Sequence, residues 1–197
     1  MSYDIFAALV LFAFVSSITP GPNNLMLMAS GANFGFRRTV PHMLGIGLGF
    51  TLMVLLVGVG LAQVFSQWPV LHQILKVVSV GYLLVLAWNV ANSAPLRDGA
   101  RAGRPLTFLQ AAGFQWVNPK AWTMALTATT AYAPSHTMAA MALVAVIFGA
   151  VNLPSICTWT LAGQQVSRFL TSPKRRAVFN WTMATLLVIS LYPVVRS

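Results

Sequence analysis

Six apolar stretches occupy nearly the whole chain, and they restrict its fold more than any motif does. The first runs from about Ile5 to Phe34, the second from about Val40 to Val64, and the third from about Val70 to Ala91. The fourth runs from about Thr107 to Tyr132, the fifth from about Thr137 to Gln164, and the sixth from about Ala177 to Val195. A helix crosses a bilayer core with about 20 apolar residues. Only 7% of the 197 residues are charged and 57% are hydrophobic, whereas a soluble domain is about 25% charged. So few charges cannot clothe a soluble surface. The sequence predicts an all-α integral membrane protein with six transmembrane helices.

The charges that remain are unbalanced: 12 Lys or Arg against 2 Asp or Glu, for a net +10. A basic face for nucleic acid still needs a soluble body, so nucleic acid is not an expected partner. The acids are Asp4 and Asp98, one near a terminus and one in a hydrophilic connection. A catalytic carboxylate pair would have to come from those two places, which argues against an enzyme. Cys157 is the lone cysteine, and His42, His72 and His136 are far apart, so no metal-ligand spacing is present. No metal or other cofactor is expected.

The basic residues orient the spans. Arg37 and Arg38 follow the first, Arg97, Arg101 and Arg104 the third, and Arg168, Lys174, Arg175 and Arg176 the fifth. This bias places those three connections in the cytoplasm and both termini outside, in a multi-pass protein of the cell inner membrane. The N-terminal MSYD lacks the positive flank of a secretory signal, so the first stretch is expected to be retained.

The polar linker 92–106 divides the chain into a first three-helix repeat, 1–91, and a second, 107–197. With three spans each, the halves enter the bilayer from opposite faces. Each opens with a span interrupted by proline, at Pro20 and at Pro119. The pattern predicts two inverted three-helix repeats with broken helices 1 and 4.

The interruptions are the candidate substrate-binding positions. In Thr19-Pro20-Gly21-Pro22-Asn23-Asn24, the prolines cannot donate backbone hydrogen bonds and the glycine loosens the chain between them. Freed carbonyls in lipid need partners, so the break is expected to face protein or a water-filled cavity. Asn23 or Asn24 is expected to cap the half-helix that follows, whose positive end suits a carboxylate. A plain structural kink is the competing reading. In Asn118-Pro119-Lys120, the lysine precedes a long run without charge, and no acid lies in any span to neutralise it. Its partner is then a backbone carbonyl, an asparagine oxygen or an anionic substrate group. If the span starts later, Lys120 is instead a cytoplasmic anchor. Asn152, beside Pro154, either reaches the cavity or bonds a neighbouring helix. Gly45, Gly47 and Gly49 suit close helix packing. His42, beside them, is a candidate proton relay.

The chain resembles the LysE/RhtB family of amino-acid exporters. The resemblance rests on Thr19-Pro20-Gly21-Pro22-Asn23, on Gly35-Phe36-Arg37-Arg38 leading to Gly45-Ile46-Gly47-Leu48-Gly49, on Leu75-Lys76-Val77-Val78 with Gly81-Tyr82-Leu83-Leu84, and on Val117-Asn118-Pro119-Lys120-Ala121. It implies export of an amino acid or a derivative from the cytoplasm, by exchange with protons. Many members carry a titratable residue after the glycine run, where this chain has Phe50-Thr51-Leu52-Met53. With no carboxylate in a span, a neutral substrate is expected over a cationic one. Lipid and a small amino acid are the expected partners, with a second copy of the chain as a candidate homodimer. Two other classes compete: a membrane scaffold that transports nothing, and a cation exporter on the same frame.

Overall fold

A computed structural model describes residues 1–61, 63, 67–93, 104–133, 135, 137–192 and 196. Arg97, Asp98, Arg101 and His136 lie outside the described residues, as does the side chain of His72. The described residues form helices and connections, with no strand. In chain order these are α1 (Tyr3–Ile18), α2 (Pro22–Phe34), α3 (Phe36–Leu56), α4 (Pro69–Ala91), α5 (Phe108–Val117), α6 (Pro119–Ala131), α7 (Met138–Val166) and α8 (Pro173–Ile189). A π-helical turn, Val57–Leu61, continues α3, and a 3-10 turn, Ser167–Phe169, continues α7.

The helix starts follow local chemistry. Pro22, Pro69, Pro119 and Pro173 each open a helix, where a fixed φ helps and the missing N–H costs nothing. Thr107 and Gln110 close a reciprocal capping box at the start of α5. Between α2 and α3 the chain turns through Gly35 at φ 80°, a conformation that favours glycine. Two boundaries differ from the sequence reading. α3 begins at Phe36, so Arg37 and Arg38 lie in its first turn. α8 begins at Pro173, which brings Lys174, Arg175 and Arg176 into its first turn, and it ends at Ile189.

Among the described residues three helices are long and apolar enough to cross a bilayer: Phe36–Leu61, Gln73–Ala91 and Met138–Phe169. α1 and α2, bent by 54° at their break, make a fourth if taken as one span. α8 is shorter, at 17 residues, and α5 and α6 are interrupted at Asn118.

Packing buries several polar side chains beside an apolar core and leaves many apolar ones on the outside. Asn24, Asn33, His42, Gln115, Asn118, Asn152 and Asn180 are buried, while Leu11, Leu48, Val77, Val85 and Val146 are exposed. Lipid asks for apolar faces outside and leaves polar groups to find partners inside. α1 and α2 pack on α7, α3 on α5 and α7, and α4 on α8. Glycines set the closest approaches. A side chain at Gly49 would strike the backbone of Ala112 on α5, and one at Gly163 would strike Met28 on α2. One apolar cluster gathers Leu9, Ala13, Phe50, Met53, Ala125 and Phe148. A second gathers Leu27, Met43, Ile46, Ala111 and Ile156. Ile46 and Phe50 are one turn apart on α3, and the polar layer around the helix breaks meets α3 between them.

Candidate functional site

The first break places a set of polar groups in that layer. Thr19 and Gly21 are both extended, so α1 stops at Ile18 and α2 restarts at Pro22. The carbonyls at the end of α1 lose their helical partners, and donors from three other helices replace them. Ser17 O accepts from Asn24 Nδ2 at 2.7 Å and from Ser155 Oγ on α7 at 2.8 Å. Ile18 O accepts from Trp159 Nε1 at 3.1 Å. Thr19 O accepts from Asn24 Nδ2 at 2.8 Å and from Lys120 Nζ at 2.7 Å. The Lys120 ammonium also donates to Thr19 Oγ1 at 2.9 Å and reaches Pro20 O at 3.5 Å. Lys120 is half-buried and lies on the negative end of α1, where a cation is favoured. It is placed against the first break, and its neutralising groups are backbone carbonyls and a hydroxyl.

The expected cap on α2 is corrected. Its N-cap is Gly21, which has no side chain to offer, and no side chain caps the helix. Asn24 sits nearly a full turn inside α2, and its amide turns back to the orphaned carbonyls of α1 instead. Asn23 is engaged elsewhere: Nδ2 donates to Gln115 Oε1 at 2.8 Å, and Gln115 Nε2 returns a bond to Asn23 Oδ1 at 3.2 Å. The first turn of α2 therefore keeps its amide donors uncapped. The second break is different. Asn118 Oδ1 accepts from the backbone N–H of Lys120 at 3.1 Å and so caps α6.

A small cavity of about 20 Å³ lies where the breaks meet. That is room for a water molecule, since one needs at least about 10–15 Å³ by this measure. Gly21, Asn23, Asn24, Asn118, Lys120 and Asn152 line it, so six of the ten sequence-predicted positions converge there. Pro22 and Pro119 fix the helix starts beside it. Thr19 and Pro20 are exposed, so the break is open on one side. Two lining groups lack partners. Ser17 Oγ is buried without a hydrogen bond. Asn152 is 7% exposed, and its amide makes no hydrogen bond among the described residues. His42 is buried on α3 with both ring nitrogens unpartnered, and it does not line this cavity.

Sequence reading missed Ser17, Gln115, Ser155 and Trp159. Three of the four carried a signal. Asn152, Ser155 and Trp159 are spaced to share one face of α7, and Gln115 is a polar side chain three residues before the second break.

Several named proteins are similar to this chain along nearly its full length. The cysteine/O-acetylserine efflux protein of Klebsiella pneumoniae subsp. pneumoniae is 28% identical over 193 residues, covering 95% of both chains. The protein of the same name from Escherichia coli strain K12 is 28% identical over 191 residues, covering 95% of this chain and 96% of its own. No solved structure matches. The family model described as LysE type translocator matches residues 14–192, across both helix breaks and the cavity between them. This chain belongs to the LysE type translocator family.

Proposed function

We propose that the chain is a secondary exporter of a small neutral amino acid or amino-acid derivative. The observation that carries this reading is the pair of broken helices around one polar cavity, with an uncapped helix start on one side. Uncapped amides and the positive end of α2 suit a carboxylate. Ser17 Oγ and the Asn152 amide, both without partners, offer further polar contacts. Thr19, Pro20, Gly21, Pro22, Asn23 and Asn24, with Asn118, Pro119, Lys120 and Asn152, make up the proposed site. The efflux of cysteine and O-acetylserine named for the relatives fits a small neutral substrate. So does the acid-free set of described helices beyond Asp4, since nothing there would neutralise a cationic side chain.

The architecture proposed with this function has six spans in two inverted repeats, with the basic connections cytoplasmic and both termini outside. The packing supports it: α1 lies on α7 and α5 on α3, each a half-helix on the unbroken helix of the other half, while α3 pairs with α7 and α4 with α8. Exchanging the halves preserves these pairs, while α2 packs far more closely on α7 than its counterpart α6 does on α3. Rocking of one half against the other would open the cavity to each side in turn. Proton exchange is the proposed coupling, with His42 as its candidate relay.

The test is transport by the purified full chain in liposomes. Vesicles loaded with radiolabelled cysteine, O-acetylserine or each standard amino acid should release at least one neutral compound faster than protein-free vesicles. An imposed pH gradient should change that rate. If no compound is released under any gradient, the reading is wrong.

A further inference from the structure

Among the described residues, no carboxylate meets the Lys120 ammonium. It sits on Thr19 O, Thr19 Oγ1 and Pro20 O, at the negative end of α1. Thr19 Oγ1 donates its own hydrogen to Ser16 O at 2.9 Å, which leaves its lone pairs facing the lysine. These oxygens form a site for a primary ammonium group. Two residues further along the chain, the first turn of α2 presents uncapped amides that suit a carboxylate. An α-amino acid carries both groups on one carbon. The polarity of the broken helix thus matches a zwitterion, ammonium toward α1 and carboxylate toward α2.

We propose that Thr19 and Pro20 form the subsite for the substrate's α-ammonium group, and that Lys120 occupies it in this structure as an internal stand-in that the substrate displaces. This rests on the reading of the chain as an amino-acid exporter, and it names a ligand class: small zwitterions with a free primary amine. The cavity supports it independently. At about 20 Å³ it holds no amino acid, and the lysine chain fills the adjoining space. A Cβ built on Gly21 would stand 2.7 Å from Lys120 Cδ and 3.2 Å from Nζ. The unpartnered Ser17 Oγ and Asn152 amide remain for the ligand once the lysine leaves. Lys120 then belongs to the proposed site as the group that the substrate displaces, competing with it for the oxygens of Thr19 and Pro20.

Two measurements on the purified full chain in detergent test this. The first compares binding of O-acetylserine with that of N-acetylserine, isomers that differ in whether the amine is free. If transport identifies another amino acid, its N-acetyl form takes the same place. The second measures binding of the amine to Lys120→Met. The wild type should bind the free amine and not its N-acetyl counterpart. Lys120→Met should bind the amine about tenfold more tightly, the gain from a site that its latch leaves free about a tenth of the time. Equal binding of both isomers by the wild type, or weaker binding of the amine by Lys120→Met, would overturn the proposal. If Lys120→Met does not fold, the isomer comparison decides alone. A wild type that neither binds nor transports any amino acid removes the exporter reading itself. Normal transport with equal binding of both isomers removes only the ammonium subsite.

Discussion

The Lys120 ammonium lies 2.7 Å from the carbonyl oxygen of Thr19, a residue 101 positions earlier in the chain. The contact joins the first helix of one half to the broken helix of the other. It also explains why position 21 is glycine although its φ of −171° is open to any residue. What glycine supplies there is space, because the stem of Lys120 crosses its missing side chain.

Gly21→Ala should therefore act on transport more than on folding. The atoms in the way belong to a flexible side chain, so thermal unfolding should stay within about 1 kcal/mol of wild type. The methyl would still push Lys120 off Thr19 and crowd the same oxygens, so the transport rate should fall. Gly163→Val supplies the contrast. A Cβ there stands 2.8 Å from the carbonyl carbon of Met28, and backbone cannot swing aside. Its cost should be about 1–3 kcal/mol of stability. If Gly21→Ala unfolds as readily as Gly163→Val, the space at Gly21 is simple packing.

The breaks themselves were legible in the sequence, because proline lacks a donor wherever the fold puts it. Pro22 and Pro119 each became the first residue of a new helix. Asn24, Lys120 and Asn152 stood out in the sequence as polar groups within spans, but Lys120 and Asn152 were each open to two roles, and only the structure puts them with Gly21 and Asn118 around one cavity. Direction was not legible. Asn24 has the composition of a cap, yet its amide serves the helix behind it, because four consecutive carbonyls there needed donors. Gln115 finds its partner in Asn23, 92 residues away, and no local pattern encodes that pairing. Gly31 and Gly163 lie in unremarkable surroundings in sequence, and only the approach of α2 to α7 shows what they permit.

The paired amides of Asn23 and Gln115 should behave as one unit. Each donates to the other, at 2.8 and 3.2 Å. Asn23→Leu strips Gln115 of one partner, although Gln115 Nε2 keeps a bond to Ala111 O. Each single substitution should destabilise the protein, and Asn23→Leu with Gln115→Leu should cost less than their sum. Polar pairs between membrane helices couple by about 0.6 kcal/mol on average and reach about 1.7. A double-mutant cycle on thermal or denaturant unfolding in detergent measures this. Strict additivity would mean that the two amides act independently.

Asn24 and Ser155 share an acceptor, Ser17 O, and they should differ in cost. Ser155→Ala leaves that carbonyl with its bond from Asn24. Asn24→Ala removes donors from both Ser17 O and Thr19 O. Ser17 O keeps Ser155 and Thr19 O keeps Lys120, so the comparison is two bonds lost against one, each worth about 0.5–1.5 kcal/mol. Asn24→Ala should therefore unfold at a clearly lower temperature than Ser155→Ala. The reverse order would show that the α7 contact, rather than the turned-back amide, holds the end of α1.

Asn152 separates a site role from a structural one most cleanly. The residue is 7% exposed, and its amide borders the cavity and makes no hydrogen bond among the described residues. A polar group that makes no hydrogen bond within the fold adds little to its stability. Asn152→Leu, close in volume, should then leave stability unchanged within about 0.5 kcal/mol, or raise it. Substrate would still lose a hydrogen-bonding partner, so transport in liposomes should drop at least about tenfold, equivalent to about 1.4 kcal/mol of binding. Natural sites trade stability for function in this way. A variant that is both stable and fully active would remove Asn152 from the substrate's path, and a variant that is strongly destabilised would show that the amide serves the fold.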